Sequence, residues 1–398
     1  MTNLFLSGPF DFKGKGWGYA HYSYGFAMES FANTVKDNDN IVETLSYPFH
    51  VGSVKGTMRQ TTNPVSVSFL PPDVALFVPR QKNICCFAWE FDKLPPKSEG
   101  NGIFKKDYAS TLAKFDHVLT LSSYSKATLE TYGTNAHVLP SAVSKKDVDP
   151  NETIGEIKTY KFSTVKNAYA TDTSMPLQEI LDNSEYEQRF LYVFNPNDIR
   201  KNFGNLVTAF QRFILEHPKA VLILKMTSKN SLTKLQEVAF KREFPSFPNT
   251  EFNNVYFISD RLSDSKLQML MDSCQNYVSP TRAEGQNLPL CEAMLSGMVC
   301  ISPDHTSMSD FVTDKSNIVL SSYPWIVDET THKYSEFWGF TWYGVSEDSI
   351  LDGLKSAMAL TSEQKTAMLI EAKQNVENFC SPESVLKKWQ DIKLQIGI

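Results

Sequence analysis

At 398 residues, 41% hydrophobic and 21% charged, the chain exceeds one compact core and suits two folded domains of about 150–200 residues each. Its net charge of −6 is uneven, with 15 Lys and Arg against 14 Asp and Glu over residues 1–150 (+1) and 24 against 31 over 151–398 (−7); no basic stripe would gather phosphates, so no nucleic-acid partner is expected. Apolar runs such as 220–224 and 84–89 fall far short of the roughly 20 residues that span a bilayer, and the N-terminus lacks a signal pattern, so a cytoplasmic location is expected, with weak attraction of the first half to the inner face of an anionic membrane left open.

The first half alternates strand and helix. A short apolar strand at 3–6 precedes a glycine-bearing loop, and a helix follows from about 19 to 34. Further strands are predicted at 65–70, 84–89, 117–121 and 137–139, with a helix at 123–132. From 144 to 188 the signal fades into charged and polar residues without a sustained period, which reads as a connection between domains. The alternation then restarts, with strands at 190–194, 221–225, 255–258, 277–278, 298–302 and 318–320 and helices at 203–216, 231–242, 263–272 and 290–296. Three helices at 346–359, 362–379 and 382–396 close the chain. Strands separated by helices one crossover long give parallel, doubly wound sheets. The predicted fold is α/β with two Rossmann-like domains, 1–165 and 166–380, facing across a cleft, and open sheets of this kind bind ligands beyond the carboxyl ends of their strands. The six cysteines (Cys85, Cys86, Cys274, Cys291, Cys300, Cys380) lack C-x-x-C spacing and mostly sit in apolar runs, so buried free thiols are expected.

The most informative stretch is Pro280-Thr-Arg-Ala-Glu284-Gly285-Gln286-Asn287-Leu288-Pro289-Leu-Cys-Glu292-Ala-Met294. It follows an apolar strand and opens a helix whose first turn suits Pro289. That geometry aims the free N–H groups of Asn287 to Leu290 out of the sheet edge, where they can cradle a diphosphate or sugar hydroxyls. Glu292 lies in the first turn, and a carboxylate can accept two hydrogen bonds from a ribose diol; Glu284 would face the sugar end of such a ligand. Both can equally be solvated acids, one favourably placed near a helix N-terminus.

A second constellation, Asn195-Pro-Asn-Asp-Ile-Arg200-Lys201-Asn202, puts two cations at a helix start, where they oppose the macrodipole unless an anion binds. The alternative is a solvated basic pair. Gly14-Lys-Gly16-Trp17-Gly18-Tyr19 either admits a phosphate or sugar to the backbone or is a plain turn. Trp89-Glu90, at the end of a parallel strand, suits sugar contact or is a packed Trp beside a surface Glu. Asp37-Asn-Asp39 has the spacing of a D-x-D metal site but lies in a polar turn and reads as a loop. The seven histidines show no metal-binding spacing, and neither a G-x-S-x-G motif nor a P-loop is present.

The 280–294 stretch resembles the glutamate-x7-glutamate motif of retaining GT-B glycosyltransferases, in particular glycosyltransferase family 4 (glycosyl transferases group 1). Thr281, Gln286 and Asn287 depart from that motif, Asn287 replacing a glycine. The resemblance implies that Glu292 holds the nucleotide ribose and that Glu284 contacts the transferred sugar. It implies a phosphate-binding Lys at Lys201 and an Arg at the place of Asn195, a role that then passes to Arg200. Glu284, Lys201 and Arg200 are thereby the expected catalytic residues. Glu292, Gly285, Gln286, Asn287, Leu288, Gly16 and Gly18 are expected to bind the donor, and Trp17, Trp89 and Glu90 to face sugar or acceptor. Some family members carry a similar Trp-Glu followed by Leu-Pro, as at Leu94-Pro95, and then a pattern like that of 115–126. The similarity runs from about 14 to 320 and is weakest across 144–188. It implies a hexosyltransferase-like enzyme with a nucleotide-diphosphate-sugar donor, a glycan or lipid-linked acceptor, retention of configuration, no metal and no cofactor. It also implies a last helix, 381–398, that crosses back to the first domain. Two other readings share the architecture: a sugar-nucleotide isomerase of the 2-epimerase kind, and a non-catalytic glycan- or nucleotide-binding subunit.

Overall fold

The computed structural model of the chain describes residues 1–9, 20–47, 61–96, 107–161, 174–227, 239–244, 252–331 and 337–398, with residues 20–22 described by backbone alone. The first domain is built on a six-stranded parallel sheet in the order β2-β1-β3-β4-β5-β6. Its strands are β1 (Asn3–Pro9), β2 (Asn40–Tyr47), β3 (Pro64–Phe69), β4 (Lys82–Cys86), β5 (His117–Thr120) and β6 (Ala136–Val138). β3 is buried at every position, as befits a parallel strand covered on both faces. β2 was not predicted: it is an edge strand with a single buried residue, Leu45, so its sequence carries no apolar run, and pairing to β1 creates it.

The second sheet has the order β14-β13-β12-β9-β10-β11-β7-β8. Its parallel part comprises β9 (Gln188–Phe194), β10 (Ala220–Met226), β11 (Val255–Ile258), β12 (Asn276–Val278), β13 (Val299–Ser302) and β14 (Ile318–Val319). β7 (Lys158–Lys161) and β8 (Ser174–Pro176) extend it antiparallel beyond β11. These two short polar strands and the helix Leu177–Leu181 fall in the stretch expected as an irregular connection. β10, Ala-Val-Leu-Ile-Leu-Lys-Met, is buried throughout and sits at the centre of this half. A two-stranded antiparallel unit, β15 (Tyr323–Ile326) and β16 (Thr341–Gly344), was also not predicted. The predicted helix at 231–242 lies mostly outside the described residues. All six cysteines are free and buried.

In the second sheet β9 has β10 on one side and β12 on the other. The strand order reverses there, so the loops after β9 and β12 diverge and open a crevice at the carboxyl edge. In the first sheet β1 occupies the corresponding place, between β2 and β3.

The last two helices, Ser362–Cys380 and Pro382–Ile396, meet at Ser381, which caps the second of them. Trp389 of the last helix packs edge-on against Phe31 of the first domain at 5.1 Å and donates Nε1–H to Asp39 at 2.8 Å. Lys393 binds both oxygens of the same buried carboxylate at 2.7 and 2.8 Å. Asp39, the second acid of the Asp37-Asn-Asp39 turn, thus serves as an anchor for the C-terminal helix. The chain crosses between domains twice, and the crossings touch where Val143 N–H donates to Cys380 O at 2.8 Å.

Candidate functional site

The loop after β9 becomes a three-residue 3-10 turn, Ile199–Lys201, and then the helix Phe203–Phe213. Asp198 caps the turn by accepting from Arg200 N–H at 3.0 Å. Its carboxylate then takes the guanidinium side-on, Oδ1 from Nε at 3.0 Å and Oδ2 from Nη2 at 2.6 Å. Burial by itself would raise the Asp198 carboxyl, yet the charge of Arg200 and then of Lys201 overrides it and holds the group down at about 2. Asn202, in the left-handed region at φ 53°, turns the chain into the helix. Its side-chain amide donates to Pro280 O and Val345 O at 3.2 and 3.0 Å, which fixes the loop after β9 to the loop after β12. Arg282 strengthens that junction through Nη1 to Ile199 O at 3.0 Å and Nη2 to Asn202 Oδ1 at 2.9 Å. The Arg282 guanidinium lies 5.1 and 5.8 Å from the rings of Trp325 and Trp342 on β15 and β16.

The loop after β12 delivers Glu284 to Lys201, with Nζ to Oε1 at 2.5 Å. Both side chains are largely withdrawn from solvent, at 17% and 10% exposure, so the contact belongs to the interior of the crevice rather than to a screened surface pair. Glu284 N–H donates to Thr306 Oγ1 at 3.2 Å. Thr306 is held at φ 53°, a conformation costly for a β-branched residue and characteristic of sites where neighbours over-determine the backbone. Beside it the His305 imidazole stacks on Tyr343 at 4.3 Å and 12°, and burial pushes it down to about 4, so it is neutral near pH 7.

Helix Leu288–Leu295 begins at Leu288, two residues earlier than predicted, behind Asn287 at φ 63°. Asn is among the few non-glycine residues that adopt this region readily, which is how the chain accommodates the absence of glycine there. The Asn287 amide is spent on Ser279 Oγ at 3.2 Å. Glu292 lies one turn in and is partly buried; burial pushes its carboxyl up to about 7, with Lys146 pulling down and Asp264 pushing up. Among the described residues its carboxylate has no hydrogen-bond partner.

The first domain supplies the opposite wall. Arg200 Nη1 donates to Glu90 Oε1 across the crevice, and burial pushes the Glu90 carboxyl up against the pull of Arg200. A Cβ placed on Gly285 would lie 3.7 Å from Ala88 Cβ and 3.9 Å from Glu90 Oε2, so the two domains meet closely at this glycine. Gln286 is buried, and its amide clasps the Ser141 backbone of the other domain, accepting from N at 2.8 Å and donating to O at 2.7 Å. Its side chain is therefore engaged between domains, and what it can offer a ligand is backbone. Trp89 takes the packed arrangement, since it is 5% exposed, sits among Phe87, Phe91 and Phe340 and donates Nε1–H to Lys93 O at 2.9 Å.

Of the residues singled out in the sequence, Arg200, Lys201, Glu284, Gly285 and Glu90 come together at one point. Asn287 and Leu288 form the helix start beside them, and Glu292 lies one turn further in, where the charges acting on it are those of Lys146 and Asp264. Gly16, Trp17 and Gly18 lie outside the described residues. Sequence reasoning missed Asp198, Arg282, Thr306 and the β15–β16 unit. Asp198, two residues before Arg200 at the head of a helical turn, carried the one usable signal, that of a capping acid. Among the described residues no cluster of three His, Cys, Asp or Glu could hold a metal ion, and no helix is long and apolar enough to cross a membrane.

Residues 187–329 match the family model described as glycosyl transferases group 1, a span that contains both loops of the crevice. No curated protein sequence matches the chain. Among solved structures the chain is similar to Anabaena Alr3699/HepE in complex with UDP and glucose, at 10% identity and a TM-score of 0.60, over 99% of this chain and 100% of that one. It is similar to the pneumococcal O-GlcNAc transferase GtfA in complex with UDP and GlcNAc, at 10% identity and a TM-score of 0.53, over 88% and 60%. A mutant of S. aureus TarM in complex with fondaparinux, alpha-GlcNAc-glycerol and UDP aligns at 12% identity and a TM-score of 0.50, over 85% and 57%. The chain thus spans less than two thirds of the TarM and GtfA chains. At such identities the likeness is one of fold, and the fold is GT-B, with the glycosyl transferases group 1 match lying across the crevice of its second domain.

Proposed function

We propose that the protein is a retaining, metal-independent glycosyltransferase that moves a sugar from a nucleotide-diphosphate donor to a glycan or lipid-linked acceptor, in polysaccharide or glycoconjugate assembly on the cytoplasmic side of the cell. The observation that carries this reading is the convergence of Arg200, Lys201 and Glu284 at the point where the strand order of the second sheet reverses, within the stretch that matches the group 1 family. UDP in the neighbouring structures supports the donor class.

In this reading the donor diphosphate lies beside Arg200 and Lys201, and of the amides at the start of helix Leu288–Leu295 those of Asn287 and Leu288 serve it, since Pro289 has no N–H and that of Leu290 is bonded to Asn287 O at 3.1 Å. Glu284, freed from Lys201, accepts hydrogen bonds from the sugar, and Glu292 accepts them from the ribose diol. The bond from the anomeric carbon to the leaving phosphate oxygen breaks, and a bond from the acceptor oxygen forms on the same face. The acceptor proton passes to that phosphate oxygen, which leaves as the nucleoside diphosphate. The two cations offset the charge that builds on the leaving group, a task worth about 10²–10³ in turnover for a single preorganised donor.

The test is turnover of UDP-, GDP-, ADP- and CMP-sugars with a panel of glycan and lipid-linked acceptors, for the wild type and for Lys201→Ala. Release of nucleotide that depends on acceptor, and a loss of at least about 10² in the variant, are expected. Near-normal turnover of Lys201→Ala would discard the phosphate assignment, and conversion of donor to an isomer without acceptor would replace transfer by epimerisation.

A further inference from the structure

The geometry points to Asp198 as a positioning residue, the fixed pivot on which Arg200 exchanges the Glu90 carboxylate for a phosphate oxygen of the donor. A guanidinium has five donors in a planar fork. Here one edge, Nε and Nη2, is committed to Asp198 at 3.0 and 2.6 Å. The remaining corner, Nη1, faces the crevice and meets Glu90 of the other domain. The two acids differ in how they hold on. Asp198 is two residues away on the same turn, and it accepts three hydrogen bonds from Arg200 when the backbone N–H is counted. Glu90 makes one such contact, across a gap between domains.

The Asp198 carbonyl accepts from Lys201 N–H at 3.1 Å, so the same turn carries both cations. The Arg200 guanidinium also lies 5.8 Å from the ring of Phe91, the residue next to Glu90 in the first domain. Glu90 meanwhile lies over Gly285, where a ligand on the loop after β12 would need room. An incoming diphosphate carries more charge than one carboxylate and can take the same corner of the fork, while the Asp198 edge stays paired. The inference rests on the donor site proposed above. It adds that two acids on one arginine act with opposite sign, Asp198 for the donor and Glu90 against it.

The experiment is titration calorimetry on the full chain with UDP, GDP, ADP and inorganic pyrophosphate, alongside uridine, guanosine and adenosine. Asp198→Asn should weaken the diphosphate that binds by about 10–100-fold and leave its nucleoside unchanged, which a merely structural lesion would not do. Glu90→Gln should tighten the same diphosphate by about 3–10-fold, again without moving the nucleoside. If Asp198→Asn does not fold, Arg200→Lys keeps the charge, removes the fork and should show the same selective loss. Changes of the same sign in both variants, or none in either while Lys201→Ala still weakens binding, would overturn the pivot and leave the donor site standing. Failure of the wild type to bind any of the four diphosphates, or full-strength binding by Lys201→Ala, would remove the donor site and the pivot together.

Discussion

Glu292 offers a prediction in which function and stability pull apart. Burial lifts its carboxyl from an ordinary value of 4.5 to about 7, so the folded chain keeps a proton that the unfolded chain gives up. Stability is then lost as pH rises from about 4.5 through about 7, and the penalty is complete above that. At 1.36 kcal/mol per pH unit the full interval is worth about 3 kcal/mol, and solvent access to the partly exposed residue trims this to about 1–3 kcal/mol. Glu292→Gln keeps the shape and cannot ionise. Urea denaturation of both proteins at pH 4, 6 and 8 should give equal stabilities at pH 4 and a variant more stable by about 1–3 kcal/mol at pH 8. A gap that does not widen with pH, or a variant less stable at pH 8, would refute the assignment of that shift to burial. Under the proposed function the same variant loses donor affinity, because a neutral amide replaces an acid suited to a ribose diol.

Gln286→Ala strips both partners from the buried Ser141 backbone and should cost about 2–4 kcal/mol; calorimetric unfolding checks this, and a change below about 0.5 kcal/mol would show the clasp to be incidental. Asp39→Asn leaves Lys393 facing a neutral amide and should cost about 3–5 kcal/mol. Burial raises the Asp39 carboxyl, but Lys393, Thr2 N–H and Trp389 together hold it below its usual range. That stability is therefore present above an ordinary carboxyl range and lost as pH falls through the lowered one, so wild type and variant should converge in acid, as followed by hydrogen exchange in the helix Pro382–Ile396. Thr306→Gly relieves the φ of 53° but removes the oxygen that orients Glu284. It should hold or raise the melting temperature while lowering turnover, and a fall in melting temperature would deny the strain.

The strands read most plainly from sequence are those with long buried runs. β10 and β3 announce themselves as unbroken apolar or small-residue runs because both faces are covered. β2, β7 and β8 do not, because a mostly exposed strand at or next to a sheet edge is created by its neighbours rather than by its own composition. The acids and cations of the crevice were legible as residue types at helix starts. Their pairing was not, because Lys201 reaches Glu284 and Arg200 reaches Glu90 over separations of 83 and 110 residues. Gln286 illustrates the limit. It stands inside the most recognisable motif of the chain, yet its side chain is committed to Ser141, 145 residues away, and no local pattern encodes that.

The junction of Val143 with Cys380 decides what kind of motion is open to the molecule. Two polypeptide segments pass between the halves, and because they are bonded to one another, and Ser30 also holds Ala142 O at 3.0 Å, they behave as a single joint. Sliding of one half along the other would break that joint, whereas rotation about it would preserve the joint and part contacts on the opposite rim. Those contacts include Glu90 with Arg200, Asp92 with Thr341, and Trp89 and Phe91 with Phe340. A rotation of that kind would open the crevice like a bivalve, with the largest displacement where a substrate has to enter.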